Sequence, residues 1–398
     1  MPPKKPSSSR GLSPAVAAQV TDIVAVRRDI HRNPELGFQE ERTSRLVESR
    51  LREIGLEVER VAGTGVVGLL RGGKTGKTLL VRADMDALPL EEQNKTEYRS
   101  QVPNTMHACG HDGHVAAALA AARVLFDERA SLAGNVKFMF QPAEEGPGGA
   151  VPMIKAGLLK SPKVDAAIAL HVWNDLPVGT IGVRSGPIMA AADELQITVC
   201  GTGGHGAAPH QAVDPIVVAA HVVTALQSIV SRQVDPVHSV VVTIASIHAG
   251  KAFNIIPPQV ELLGTVRSFD KEIRAELPGR IERIVRGVTS AFGATYRMQY
   301  KHGYPPTVND RRMSEFVRGC ASELACVREV VEADVSLGGE DMAYVLDRVP
   351  GCYFFLGSAN ASRGFTSPHH SPTFDIDEAC LPIGTELFCQ VARRFLEK

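Results

Sequence analysis

The chain has no surplus of charge of either sign: 43 Lys and Arg stand against 44 Asp and Glu, a formal net charge of −1. A dedicated nucleic-acid binder needs a basic surface to displace counterions from phosphates, so that class is excluded. No run approaches ~18 uninterrupted apolar residues, the length that spans a bilayer, so no membrane span is expected. Aromatics are scarce, 5% of residues with a single tryptophan. Cysteines are few and scattered: Cys109, Cys200, Cys320, Cys326, Cys352, Cys380 and Cys389. An odd number with no CxxC pair is not a disulfide framework. It points to a reducing compartment, the cytoplasm, rather than to secretion. The opening MPPKKPSSSRGLSP is basic but has no apolar stretch after it. It reads as a disordered lead over residues 1–13 and not as a secretory signal.

What is present is a long, ordinary globular chain. At 398 residues it exceeds one core, so two domains of unequal size are expected. The apolar spacing Val16, Val20, Ile23, Val24, Ile30 predicts a helix over 14–33, and another follows over 40–54. KTLLVR (77–82), NVKFMF (135–140) and VDAAIAL (164–170) read as short, largely apolar strands. MHACGHDGH (106–114) reads as a glycine-rich turn opening an apolar helix. Strands alternate with helices, and polar clusters recur at strand ends. That is the pattern of an open α/β sheet, whose ligands collect beyond the carboxyl ends of its strands.

Near residue 188 the texture changes. DELQITVC (193–200) alternates polar and apolar as a half-exposed antiparallel strand does. A helix over 215–231, strands over 239–248 and 260–269, a helix over 271–292 and a strand over 295–300 complete a β-α-β-β-α-β order, a ferredoxin-like unit. The expected organisation is therefore an α/β domain of residues 14–187 and 304–398, with 188–303 inserted into it. After the insertion, YFFLGS (353–358) is a strand and a last helix starts near Pro382.

Four clusters carry chemistry: Cys109-Gly110-His111 with Asp112, Glu144-Glu145, His171, and His369-His370. Thiolate, imidazole and carboxylate are the ligands of a borderline-soft divalent cation. A glycine between Cys109 and His111 lets both converge on one ion. Of two neighbouring glutamates, one can bind metal while the other works as a general base toward water. Taken singly, each cluster has a plainer explanation: a Glu-Glu pair is usually solvated surface, and a lone buried cysteine usually a small hydrophobe. Their common placement at strand ends and helix starts of one domain is what makes them informative.

These motifs make the chain resemble the metal-dependent aminoacylase and carboxypeptidase family, in the branch of hippurate hydrolases, N-acyl-amino-acid amidohydrolases and auxin-conjugate hydrolases. The resemblance runs over residues 20–398 and rests on HRNPELGFQE, RADMDALP, MHACGHDGHVA, QPAEEGPGGA, LHVW, GTGGHGAAPH, NIIP, GTVRSF, GGEDMAY and HHSPTFDID. It implies a zinc-exopeptidase-like catalytic domain with a ferredoxin-like α+β lid and dimerisation domain. It also implies two divalent ions held by Cys109, His111, Glu145, His171 and His370, whether zinc, manganese, nickel or cobalt. In the same terms Glu144 resembles the general base, Asp86 a carboxylate that orients a ligand, and His205 the group that polarises the scissile carbonyl. Asn254 and Arg267 match groups near the substrate carboxylate. His370 is taken over His369 because a Ser-Pro pair follows it. The distant peptidases of the family carry His-x-Asp where this chain has Asp84-Met85-Asp86, which favours the amidohydrolase branch.

The implied activity is hydrolysis of the amide of N-acyl amino acids, by a homodimer or homotetramer. With Trp173 and a few phenylalanines as the only aromatic walls, modest acyl groups are favoured. Dipeptidase or carboxypeptidase action is the alternative within the family. Outside it stand a thiol hydrolase using Cys109 with His111 or His114 as its base, and a non-catalytic binding homologue.

Overall fold

A computed structural model describes residues 11–397. Most of the expected lead therefore lies outside the described residues. The chain divides into two compact units. One comprises residues up to Gly186, Val308–Asp334 and the chain from Tyr344 on; the other comprises Pro187–Thr307 and Val335–Ala343. Each has its own apolar core.

The first unit is built on an eight-stranded sheet. Its order is Glu57–Val61, Gly65–Arg71, Ala133–Gln141, Lys74–Asp84, Ala166–Pro177, Gly351–Ala359, Thr180–Val183 and Glu329–Glu332. The four central strands pair in parallel. Buried on both faces, they read as apolar runs: Thr78–Asp84 is wholly buried, as is Gly351–Ser358. The helix His111–Asp127 packs among Val20–Arg32, Glu41–Ile54 and Leu381–Leu396. Its alanines keep it slim enough to be buried on nearly every side. Gly110, just before it, has φ +87°, and a Cβ there would meet Val172 Cγ2 at 2.3 Å. Only glycine allows the chain to enter the helix this close to the neighbouring strand.

The second unit carries a four-stranded antiparallel sheet, ordered Val240–Ala249, Gln259–Ser268, Ala191–Cys200, Thr295–Tyr304. In chain order that is second, third, first, fourth, with helices Pro215–Ser228 and Lys271–Ala291 as the crossovers. It is the ferredoxin-like arrangement. Asp193 anchors it, accepting from both Arg274 Nη2 and Nε (2.6 and 3.0 Å), from the Tyr300 hydroxyl (2.8 Å) and from the Gly303 amide (2.9 Å). Among the described residues, Pro215–Gln233 is the one helical stretch apolar and long enough to cross a membrane by composition. Here it lays Val218, Ala219, Val222 and Leu226 into the core of this unit.

The structure differs from the sequence expectations in several places. The helix expected over 14–33 is broken into Pro14–Ala17 and Val20–Arg32. The strand expected to stop at Leu170 runs on to Pro177, because Gly351–Ala359 pairs alongside it. His171 is thus inside a strand, not after it. The helix after the glycine-rich turn starts at His111, so His111, Asp112 and His114 belong to its first turn. The hairpin Glu57–Val61/Gly65–Arg71 and the helix Arg311–Ser322 had not been expected. Val335–Ala343, which holds most of GGEDMAY, packs with the second unit, where the Ser336 amide donates to the Ile188 carbonyl at 2.9 Å.

Candidate metal centre

Parallel pairing brings the functional strand ends level in the first unit. Asp84 lies opposite Gln141, and Arg82 opposite Ala169. Two residues beyond Ala169 is His171. Asp86 follows one strand, Glu144 and Glu145 follow another, and the helix start supplies His111.

The ligand atoms of Cys109, His111 and His171 lie within 4.8 Å of one another, as do those of Cys109, Glu145 and His370, and those of His111, Glu144 and Glu145. Cys109 thus belongs to two groups at once, the position a bridging thiolate would hold. Its sulfur is 3.4 Å from His171 Nε2. All five side chains matched to metal ligands are together, with Glu144 beside them.

The hydrogen bonds prepare each imidazole. His171 Nδ1–H donates to the Val172 carbonyl at 2.6 Å, which leaves Nε2 as a lone pair toward Cys109. His111 Nδ1–H donates to the Asp86 carbonyl at 2.9 Å. Its Nε2 is buried and makes no hydrogen bond; Asp84 Oδ2 and Glu145 Oε1 stand off at 3.6 and 3.8 Å. A buried nitrogen ringed by a thiol and carboxylates without a partner of its own fits a cation. Asp86 does double duty, since its Oδ2 also accepts the Glu145 amide at 2.9 Å.

The electrostatics agree. Burial opposes charge on His111, yet Asp84, Asp86 and Glu145 outweigh it and push its pKa up to about 10. Burial, then Glu145 and Glu144, hold the Cys109 thiol well above its ordinary pKa. The pocket is a negative well. A divalent ion among these atoms would reverse both shifts, displacing protons from imidazole and thiol. Without such an ion Cys109 is a poor nucleophile, which counts against the thiol-hydrolase alternative.

The doubled histidine separates cleanly. His369 Nε2–H donates to the Val172 carbonyl at 2.9 Å. His370 has φ +61°, its amide donates to the Ala108 carbonyl at 2.8 Å, and its Nε2 reaches Glu145 Oε1 at 3.1 Å. His370 is the one in the cluster.

Two groups named in the sequence were given no part in the metal centre. Asp84 and His114 lie near His111 but their atoms are engaged. Asp84 accepts from His114 Nδ1 and Arg82 Nη1, both at 2.6 Å, and His114 Nε2 accepts the Val172 amide at 2.9 Å. Their hydrogen bonds tie the helix start to two strands. The signals were the second aspartate at the strand end and a histidine one helical turn from His111. Beside the cluster, Trp173 stacks on Phe355 (centroids 4.0 Å apart) and meets His171 edge-on at 5.7 Å.

His205, Asn254 and Arg267 lie in the second unit. His205 pairs with Ile255 in a two-stranded ladder, and the Gly206 amide donates to the Asn254 carbonyl at 2.8 Å, so the first two are neighbours. His205 Nδ1 accepts the Ala207 amide at 3.0 Å, which places the proton of the neutral ring on Nε2. Arg267 sits apart from them on the strand Gln259–Ser268, opposite Val241 and Ala192. It is half-buried, and its side chain makes no hydrogen bond or ion pair among the described residues, although Asp193 is near enough to act on its charge.

Comparison with known proteins agrees with this geometry. The model of peptidase family M20/M25/M40 matches residues 80–394. The chain belongs to that family. Among its relatives, thermostable carboxypeptidase 2 of Saccharolobus solfataricus is 42% identical over 94% of this chain and 96% of its own length. An N-acyl-L-amino acid amidohydrolase of Geobacillus stearothermophilus is 46% identical over 73% of this chain and 78% of its own. A solved Bacillus subtilis structure, described as a dinuclear metal-binding peptidase of the M20 family, superposes with TM-score 0.84 at 36% identity, covering 96% of this chain and 99% of that one. Membership of the family makes the chain a metallo-amidohydrolase acting on a small-molecule amide, with side chains that could hold divalent metal clustered in its first unit.

Proposed function

We propose that this chain hydrolyses the amide of N-acyl amino acids, releasing a carboxylic acid and a free amino acid, with two divalent ions held by Cys109, His111, Glu145, His171 and His370. The observation that carries the reading is the sharing of the Cys109 sulfur between two ligand groups, with a second carboxylate, Glu144, beside them. Zinc, manganese, nickel or cobalt ions there would polarise the amide carbonyl and acidify water. Glu144 takes the proton from the attacking water and returns it to the departing nitrogen. His205, with its proton on Nε2, donates to the carbonyl oxygen as charge develops there. Arg267, half-buried and not in an ion pair, holds the substrate carboxylate together with Asn254.

Asp86 orients His111 and Glu145 in this scheme, through the two hydrogen bonds it accepts from them. The first unit serves as the catalytic domain and the second as a lid through which two copies pair. Seven free cysteines suit a reducing compartment, the cytoplasm. Cleavage of a C-terminal residue from a peptide is the second reading. It is favoured by the name of the carboxypeptidase relative and needs the same carboxylate clamp.

The test is hydrolysis of N-acetyl, N-benzoyl and indole-acetyl amino acids beside a dipeptide series. The enzyme is assayed as purified, after chelation, and after each metal is returned. Faster turnover of dipeptides than of any acyl amino acid would replace the first reading with the second.

A further inference from the structure

A network of buried charge adjoins the ligand cluster without entering it. Asp112, next in sequence to His111, is fully buried, and its Oδ2 accepts from Arg27 Nε at 2.8 Å and His31 Nδ1 at 2.7 Å. The same guanidinium donates through Nη2 to Asp375 Oδ1 at 2.7 Å, and its Nη1 reaches Glu378 at 3.3 Å. Asp375 is held from its other side by the Tyr98 hydroxyl at 2.7 Å. His31 Nε2 lies 3.3 Å from Glu92, and Asn94 donates to the Phe374 carbonyl at 2.8 Å. Arg27, on the helix Val20–Arg32, thereby joins the start of the helix His111–Asp127 to the loop that follows His370.

Stability alone is a poor explanation for this arrangement. Burying a guanidinium costs several kcal/mol, and its carboxylate partners do little more than offset that cost. A buried ion network is often no more stabilising than apolar side chains of the same volume. What it does supply is direction. The planar fork of arginine accepts partners only at set angles and distances, which an ammonium does not impose. Here the two partners it fixes are one residue from His111 and five residues from His370. Those two histidines belong to the two different ligand groups that share Cys109.

We infer that Arg27 is a positioning residue that, through Asp112 and Asp375, sets the spacing between the His111 and His370 ligand segments and so tunes the affinity of the metal pair. This rests on the proposed reading of those histidines as ligands. Arg27 hydrogen-bonds to none of the five side chains read as ligands.

The experiment uses the full chain stripped of metal and titrated with cobalt(II), read by calorimetry and by the visible absorption of the bound ion. The variants are Arg27→Lys, Asp375→Asn and Tyr98→Phe, each checked for folding by circular dichroism. Loss of a group bonded directly to a metal ligand weakens metal binding by about 10- to 100-fold; Arg27 and Asp375 act one contact further out, so Arg27→Lys and Asp375→Asn are expected to lower at least one cobalt affinity by about 10-fold, the lower end of that range, and to alter the cobalt spectrum. Tyr98→Phe removes a single hydroxyl and guards against a misfolded Arg27→Lys. It is expected to cost about threefold in affinity, the worth of one hydrogen bond, with an unfolding temperature near that of the wild type. Folded variants that bind two cobalt ions with wild-type affinity and spectrum would overturn the inference. A His370→Ala variant that still binds two ions normally would instead remove the ligand reading, and the inference with it.

Discussion

The sulfur of Cys109 and Nε2 of His171 face each other at 3.4 Å because the other ring nitrogen of His171 is already donating to the Val172 carbonyl. A neutral imidazole and a thiol held at this range would supply two of the ligands of the proposed metal site. Chelation should therefore abolish hydrolysis while leaving the fold intact, and returned zinc, manganese, cobalt or nickel should restore it. Metal should also raise the unfolding temperature, with the logarithm of its free concentration once that exceeds Kd, since it binds the folded chain more tightly than the unfolded one. Hydrolysis that survives complete chelation and dies with an alkylating reagent would revive the thiol mechanism.

Glu144 and Glu145 are neighbours with different duties in the proposed mechanism. Replacing Glu144 with glutamine keeps its size and removes its basicity. The expected result is a fall in kcat of about 10²- to 10⁴-fold, the range for a lost general base, with metal content unchanged. Metal analysis beside single-turnover kinetics checks both halves. A Glu144→Gln enzyme with ordinary kcat would end the base assignment.

Arg267 supplies a contrast between substrates. A free carboxylate on the substrate should be recognised, and its amide should not. Arg267→Met should cut kcat/KM for an N-acetyl amino acid by about 10- to 100-fold, the worth of a charge-assisted hydrogen bond. For the corresponding amino-acid amide it should change little. Equal losses on both substrates would point to a structural role for Arg267.

Acid should loosen the second unit before neutral pH does. Burial opposes the charge on Asp193, but Arg274, the Tyr300 hydroxyl and the Gly303 amide outweigh it and hold its carboxyl below the usual range. A depressed carboxyl gives stability that is fully present above its unfolded value of about 4 and is lost as pH falls through its folded value. Asp193→Asn should therefore lower the unfolding temperature at pH 7, and the gap to wild type should narrow below about pH 4. A gap that stays constant down to pH 3 would mean the ionised form is not what matters.

The ligand cluster was legible because its residues sit in short motifs at strand and helix ends, where local pattern suffices. What supports those ligands was not. Asp84 meets His114, Arg27 meets Asp112 and Arg27 meets Asp375 across gaps of 30, 85 and 348 residues. No local spacing encodes such pairs. The strand through His171 was cut short for a related reason: HVWND turns polar, and only the ladder to Gly351–Ala359 keeps it extended. The helix Arg311–Ser322 is a different kind of miss. Met313, Val317, Cys320 and Ala321 recur on one face, so its pattern was there to be read. The break in the first helix falls at Ala18-Gln19, where neither glycine nor proline announces it.

One consequence comes from Trp173. It is the only indole in the chain, and it lies edge-on to His171 and against His369. Excited at the red edge of indole absorption, where the six tyrosines do not contribute, the intrinsic emission of this protein therefore arises from one side chain beside its proposed metal ligands. Loading and unloading of the centre can be followed in real time, on the unlabelled and unaltered chain, by the colour and yield of that light.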